Sequence, residues 1–336
     1  MFRPSLKLRL VLAAAGAALV AGSAVAIAEA QGRAPARTPS TGVVVVTTTL
    51  GYQGSGAAGT GIVLTSSGEV LTNNHVIKGA TAIRVTDVST GRTYTATVAG
   101  YSVSRDIALL KIANAHGLST AAIGSSAGVR VGDRVTAVGN AGGSGSLTVS
   151  TGALVRLHQS ITVSDDQGGS TRLTDLLETS AELEPGDSGG PLLDSSGRVI
   201  GVDAAGSSGS RFEQSAGDGY AIPISTATAI VHQIEAGRSS STVHVGPTAF
   251  LGVALSAQDV SGAMVEDVVP GGPADKAGLA AGDLITSFGG HTVTSPVSLQ
   301  LLLRRASPGK AYRVTWLDQY GSASSGTIRP ISGPAQ

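Results

Sequence analysis

The chain is 336 residues long, enough for two or three domains whose cores need no covalent staples. Its 23 basic and 23 acidic residues cancel, which excludes the basic stripe of a nucleic-acid binder. Cysteine is absent, so disulfides, thiolate zinc sites and a cysteine nucleophile are excluded, and the low aromatic content (3%) with 47 glycines favours many short strands joined by tight turns.

At the N-terminus, Arg3, Lys7 and Arg9 precede an uncharged run from Leu10 to Ala28, with a small-x-small cleavage site at Ala28-Glu29-Ala30. Residues 1–30 read as a signal peptide or as an N-terminal membrane anchor spanning residues 10–28. Either places the body outside the cytoplasm, in the cell envelope or secreted, because the flanking positive charge stays inside. Gln31 to Gly42, rich in Pro, Arg, Ser and Thr, reads as a flexible tether.

The body, residues 43–237, is expected to be mainly β. Val43 to Thr49 opens the first strand, and Gly51 to Gly61 reads as a Gly-rich loop. Ile62-Val63-Leu64 and Val70-Leu71-Thr72 flank Ser66-Ser67-Gly68-Glu69 as a hairpin, which puts His75 just past a strand end. Further strands are expected at Ala82–Val88, Tyr94–Tyr101, Ile107–Ile112, Arg134–Gly139, Leu147–Leu157 and Ser160–Val163. A second hairpin, Leu192-Leu193 with Val199–Val202, turns at Asp194-Ser195-Ser196-Gly197 and echoes the first, which suggests two similar β units that each close a barrel. Tyr220–Pro223 reads as the last strand. Ser225–Glu235 reads as a closing helix with Ala227, Ile230, Val231 and Ile234 on one face and Gly237 as its stop.

A Ser-rich linker (238–248) leads to a second, small α+β domain at 249–331. Its expected strands start at Phe250, Met264, Asp283, Tyr312 and Thr327. Pro273–Leu279 forms a short helix with Pro at its start and Gly278 near its end. Ser295-Pro296 caps another that runs to about Arg305.

The chemistry centres on Glu184-Pro185-Gly186-Asp187-Ser188-Gly189-Gly190-Pro191-Leu192. Its glycines let the backbone turn tightly and present the Ser188 hydroxyl, a weak nucleophile that needs a base. They also leave the N–H groups of Gly186 and Ser188 uncovered, as an oxyanion site requires. His75, Asp106 and Ser188 follow one of the known chain orders of a base, an orienting carboxylate and a nucleophile. Gly186-Asp187-Ser188-Gly189-Gly190 also satisfies the nucleophile elbow of α/β-hydrolases. That elbow needs a strand-to-helix turn and a downstream histidine, whereas Pro191 and Ser195-Ser196-Gly197 make the next segment a hairpin.

Leu71-Thr72-Asn73-Asn74-His75-Val76, Asp106-Ile107-Ala108-Leu109-Leu110-Lys111 and Gly186-Asp187-Ser188-Gly189-Gly190-Pro191-Leu192 resemble the three signatures of the HtrA/Deg serine proteases. Residues 249–331 resemble the C-terminal PDZ domain of that family, with Phe250-Leu251-Gly252-Val253 at the carboxylate-binding loop. The resemblance implies a chymotrypsin-like double β-barrel followed by a PDZ domain. It implies a serine endopeptidase of unfolded or damaged polypeptides, with catalytic His75, Asp106 and Ser188, an oxyanion hole at Gly186 and Ser188, peptide C-termini bound at the PDZ loop, and homo-oligomers, often trimers. No metal or organic cofactor is implied. The competing reading is a chaperone or scaffold whose protease body is silent or conditionally active.

Two positions depart from the pattern. Asp187 stands where the family usually carries Asn. Glu182 lies where trypsin-like enzymes keep a specificity residue, which offers selection for a basic side chain, although a surface Glu beside Glu184 is the preferred reading. His116, His158, His232, His244 and His291 have no companion ligands at metal spacing and read as surface or loop residues.

Overall fold

The computed structural model describes residues 38–164, 170–204, 219–256 and 260–335. The leader expected at residues 1–30 and most of the tether lie outside them. No helix among the described residues is long and apolar enough to cross a membrane.

Strands β1 (Val43–Leu50), β2 (Ser55–Val63), β3 (Glu69–Thr72), β4 (Ala82–Asp87), β5 (Arg92–Ser102) and β6 (Ile107–Ile112) form an antiparallel sheet in the order β5-β4-β1-β2-β3-β6, closed by a β5–β6 pairing. The two-residue period of these strands sorts their side chains. Val44, Val46, Val63, Val70, Val85 and Leu110 fill the barrel. Their neighbours Val43, Ile62, Leu71 and Leu109 belong to a different cluster, which reaches Val138, Val202, Ile222 and Val231 further along the chain. That alternation makes the seam: β1, β2, β3 and β6 contribute one face to their own barrel and the other to the joint between barrels.

The second barrel is closed in the order β10-β11-β12-β9-β8-β7. Its strands are β7 (Arg134–Gly139), β8 (Thr148–Ser164), β9 (Ser170–Thr179), β10 (Pro191–Asp194), β11 (Val199–Asp203) and β12 (Gly219–Pro223). Val135, Ala137, Leu154, Leu177, Leu192, Ile200 and Ala221 pack its core. A one-turn helix, α1 (Asn74–Ile77), follows β3, and α2 (Ile224–Glu235) follows β12. The apolar face of α2, with Ala227, Ile230, Val231 and Ile234 buried, covers the seam cluster, and Gly237 ends the segment at φ +66°.

The C-terminal domain has a sheet in the order β15-β16-β17-β19-β20: β15 (Val253–Leu255), β16 (Ala263–Val268), β17 (Leu284–Phe288), β19 (Tyr312–Leu317) and β20 (Ala323–Ile328), with β18 (His291–Thr292) on β17. Helices α3 (Pro273–Lys276) and α4 (Pro296–Leu303) pack on it. Ser295 caps α4 through a reciprocal bond with Ser298. Leu251, Val265, Ile285, Phe288, Leu299, Val314 and Trp316 form its core.

Four expectations are corrected. The Gly-rich segment Gly51–Gly61 is a loop only to Gly54, because β2 starts at Ser55 and pairs with β1 from Ser55 to Ile62. The segments Leu147–Leu157 and Ser160–Val163 are one strand, β8, bent by register shifts around Arg156 to Gln159 and by the positive φ of His158. Its partner β9 was not expected, since its polar sequence hides a strand. The linker 238–248 is partly ordered structure: β13 (His244–Val245) adds to the edge of β5, and β14 (Thr248–Phe250) pairs with β21 (Ile331–Gly333).

The glycines of β2 are strand residues because other groups need their space. A Cβ at Gly59 would stand 2.7 and 2.8 Å from the two methyls of Val76 and 3.1 Å from the Ser188 carbonyl oxygen. Val76 is β-branched and buried, and yields little. Gly59→Ala is therefore expected to lower stability by about 1–3 kcal/mol in denaturant melts. A second change, Val76→Ala, should recover part of that loss in a double-mutant cycle.

Candidate active site

His75 is the second residue of α1, which follows the buried Asn73. The Asp106 carboxylate holds it twice. Oδ1 accepts the His75 backbone N–H at 2.9 Å, and Oδ2 accepts the ring Nδ1–H at 2.7 Å. With the proton on Nδ1, the Nε2 lone pair is left to serve as a base. Asp106 itself adopts φ +51°, uncommon for a residue with a Cβ. It is secured there by its N–H to Val103 O at 3.2 Å and by Asn73 Nδ2, which donates to Asp106 O at 2.8 Å. Packing around the ring disfavours the imidazolium, but the charge of Asp106 and its hydrogen bond outweigh that. His75 consequently titrates above the usual histidine value of 6.5.

Ser188 comes from the second barrel on a turn of the expected kind. Pro185 and Gly186, the latter at φ +103°, occupy the centre of a turn closed by Asp187 N–H to Glu184 O at 3.0 Å. A Cβ at Gly186 would lie 2.2 Å from Asn140 O, so a larger residue has no room. The Gly186 N–H meets no acceptor among the described residues. Beside this turn an open cleft of about 480 Å³ is lined by Thr48, Gly56, Ala57, Ala58, Gly142, Gly143, Pro185 and Gly186.

Thr60, fully buried in β2, ties the two halves together. Its N–H donates to Ser188 O at 2.8 Å and its hydroxyl to Gly186 O at 2.7 Å. The same hydroxyl accepts Asn140 N–H at 2.9 Å, and Thr60 O accepts the Thr72 hydroxyl at 2.7 Å. Gly189 packs close behind: a Cβ there would be 2.2 Å from Thr60 O, 2.3 Å from Thr72 Oγ1 and 3.2 Å from Asn73 N. Since Thr72 and Asn73 lead directly into α1, the nucleophile turn and the histidine share one end of the seam. Sequence reasoning missed Thr60, Thr72 and Asn140 as parts of this site. The available signal was Gly59-Thr60-Gly61, two glycines that mark close backbone approach.

The other expected residues fall out as follows. Glu182 is exposed. In the C-terminal domain Leu251 is buried and its carbonyl accepts Ala274 N–H at 2.8 Å. Gly252, at φ +78°, accepts Val269 N–H at 2.9 Å. Phe250 stacks on Tyr52 at 4.9 Å between centroids. Val253 begins β15, an outer strand of the sheet. His116, His158, His232 and His291 are exposed, and no cluster of metal-ligating side chains occurs among the described residues. His244 corrects its surface reading: it is buried against Tyr101 at 5.0 Å and donates from Nδ1 to Arg304 O at 3.0 Å.

Two six-stranded barrels that bring a histidine–aspartate pair from one and a serine turn from the other to a common seam define the trypsin-like class, here followed by a small α+β domain. Residues 59–202 match the trypsin-like peptidase domain and residues 264–317 the PDZ domain. The chain is 33% identical over 273 residues to the putative serine protease HhoA of Synechocystis sp., covering 77% of this chain and 67% of that protein. It is 35% identical over 269 residues to Protease Do-like 1, chloroplastic, of Arabidopsis thaliana (76% and 59%), and 31% identical over 312 residues to the serine protease PepD of Mycobacterium tuberculosis (88% and 64%). Among solved structures, the HtrA-type protease AlgW with tripeptide superposes with TM-score 0.50 at 28% identity, over 88% of this chain and 95% of that one. The chain belongs to the HtrA/Deg family of serine proteases. It spans about half to two thirds of the length of the curated relatives it matches.

The raised His75 value has a definite sign. A base must be neutral, so hydrolysis by this site should fall as pH drops through a value above 6.5, not at or below it. Titration of the ring by NMR in a Ser188→Ala protein should show that midpoint, and adding Asp106→Asn should move it down by removing the charge that raises it.

Proposed function

We propose that the protein is a serine endopeptidase that cuts unfolded or damaged polypeptides. What carries this reading is the pair of hydrogen bonds that His75 donates to the Asp106 carboxylate, on a seam shared, through Thr60, with the Ser188 turn. Ser188 Oγ attacks the peptide carbonyl while His75 Nε2 takes its proton. His75 then hands that proton to the leaving amine, and Asp106 stabilises the imidazolium formed between the two steps. The N–H groups of Gly186 and Ser188 receive the oxyanion. Water repeats the sequence on the acyl-enzyme.

The PDZ domain supplies recognition apart from the chemistry. An extended peptide adds to the outer edge of β15, and the backbone around Leu251, Gly252 and Val253 takes its terminal carboxylate. The charged leader supports an extracytoplasmic location, and several relatives are described as probable periplasmic endoproteases. Retention of residues 10–28 as an anchor and assembly into homo-oligomers belong to the same proposal.

A serine-reactive fluorophosphonate should label the parent protein at Ser188 and leave Ser188→Ala unlabelled. Proteomic mapping of cleavage sites in denatured substrate should show cuts that vanish with Ser188→Ala, a loss of about 10³–10⁶-fold with the fold intact. Labelling and cleavage both absent, with and without a C-terminal peptide that engages the PDZ domain, would leave the scaffold reading in its place.

A further inference from the structure

Beneath the nucleophile turn lie two carboxyl groups that the triad does not use. Asp203 closes β11, and its backbone is zipped to the turn: Gly189 N–H donates to Asp203 O and Asp203 N–H to Gly190 O, both at 2.8 Å. The Asp203 side chain has 0% exposure, and neither of its carboxyl oxygens meets a donor. Asp187, 5% exposed, accepts Glu184 N–H on Oδ2 at 2.9 Å, while its Oδ1 has no donor either. That Oδ1 is pressed against β7, where a Cβ on Gly139 would stand 2.4 Å away.

A buried carboxylate without donors is strongly disfavoured, and more so with a second on the same turn: Gly190 joins the two residues, its N–H donating to Asp187 O at 2.9 Å and its O accepting Asp203 N–H. Among the described residues no cation pairs with either group. Glu184 faces Asp187 and adds negative charge. On β9, next to β12, Glu178 is closed into a bidentate pair with Arg156, and on the far side of Ser188 the His75 ring is held by Asp106. Burial, and after it the charge of Asp187, holds Asp203 well above the usual carboxylate range. Asp187 is raised chiefly by its own burial, against the Glu184 N–H that lowers it. The donor that is missing here is the one a carboxylic acid supplies.

We propose that Asp203 is a positioning residue for the hydrolysis: as the neutral acid it donates its proton to Asp187 Oδ1, and that bond holds the turn presenting the Gly186 and Ser188 N–H groups. When the proton leaves to solvent base, two buried negative charges repel across the turn and the oxyanion donors lose their alignment. The effect falls on kcat, because the oxyanion exists only after attack. Stability moves the same way. A carboxyl group whose folded pKa is raised contributes fully at low pH, and its contribution is lost as pH rises through that raised value.

The inference rests on the protease reading, so the test carries one measurement that needs no activity. kcat and KM for a fluorogenic peptide, and the Tm, are followed from pH 6 to pH 10 for the full chain and for Asp203→Asn and Asp203→Leu. The parent kcat should fall on the alkaline side by about tenfold or more, part of the 10²–10³-fold that losing one oxyanion donor costs, with KM nearly constant. Asp203→Asn, whose amide donates without a titrating proton, should stay within about threefold across that range and lose less Tm than the parent as pH rises. Asp203→Leu should be slow at every pH. If Asp203→Asn fails to fold, Asp187→Asn supplies the amide from the other partner and is expected to give the same flat profile. Parallel alkaline losses of kcat and of Tm in parent and Asn variant would overturn the proposal. If the parent hydrolyses nothing at any pH, the protease reading fails on its own, and the Tm comparison still decides whether the buried proton exists.

Discussion

The site depends on one buried threonine. Thr60 belongs to the first barrel by its strand and to the second by its hydrogen bonds: its N–H and hydroxyl hold two carbonyls of the nucleophile turn, and its own carbonyl is held from the strand that leads into His75. A nucleophile and its base contributed by different barrels need a fixed joint, since catalytic geometry tolerates only small misplacement. Apolar packing alone would leave the seam free to slide. The directed bonds of Thr60, made where no water competes, fix its register.

The glycines of this region follow from the same constraint. Gly59 and Gly189 stand where backbone or β-branched side chains already occupy the space a Cβ would need, and Gly186 must also adopt a positive φ. Small residues here admit close backbone contact between barrels. The polar cost is concentrated nearby. Asp106 is held in a left-handed conformation by four hydrogen bonds, while Asp187 and Asp203 are buried with fewer donors than their oxygens require. Such local conflicts gather where function sets the geometry.

Between the trypsin-like body and the PDZ domain the contacts are as specific as those inside either. His244, in the segment that reads as a linker, extends the edge of β5, packs on Tyr101 and donates to a carbonyl at the end of α4. The Tyr101 hydroxyl bonds Thr248 in a buried pair at 3.1 Å, and Gly79 N–H donates to Ala335 O at 2.9 Å. Phe250, the first residue of the segment expected to bind a peptide carboxylate, stacks on Tyr52 at the β1–β2 turn. The loop at the start of the PDZ domain thus has a direct neighbour in the trypsin-like body.

From the sequence alone came the strands with apolar alternation, both hairpins, the helix closing the seam, and the residue types and chain order of His75, Asp106 and Ser188. These are local signals: side-chain period, turn chemistry and spacing act within a few residues. Strand β9 and the strand half of Gly51–Gly61 were illegible because their pairing is decided by partners distant in the chain, which override weak propensity. Only the tertiary structure decided that Thr60 is the joint, that His244 is buried, and that Asp203 lies without donors beneath Ser188. Those facts depend on which backbones meet across a barrel seam, and no short stretch of residues encodes that meeting by itself.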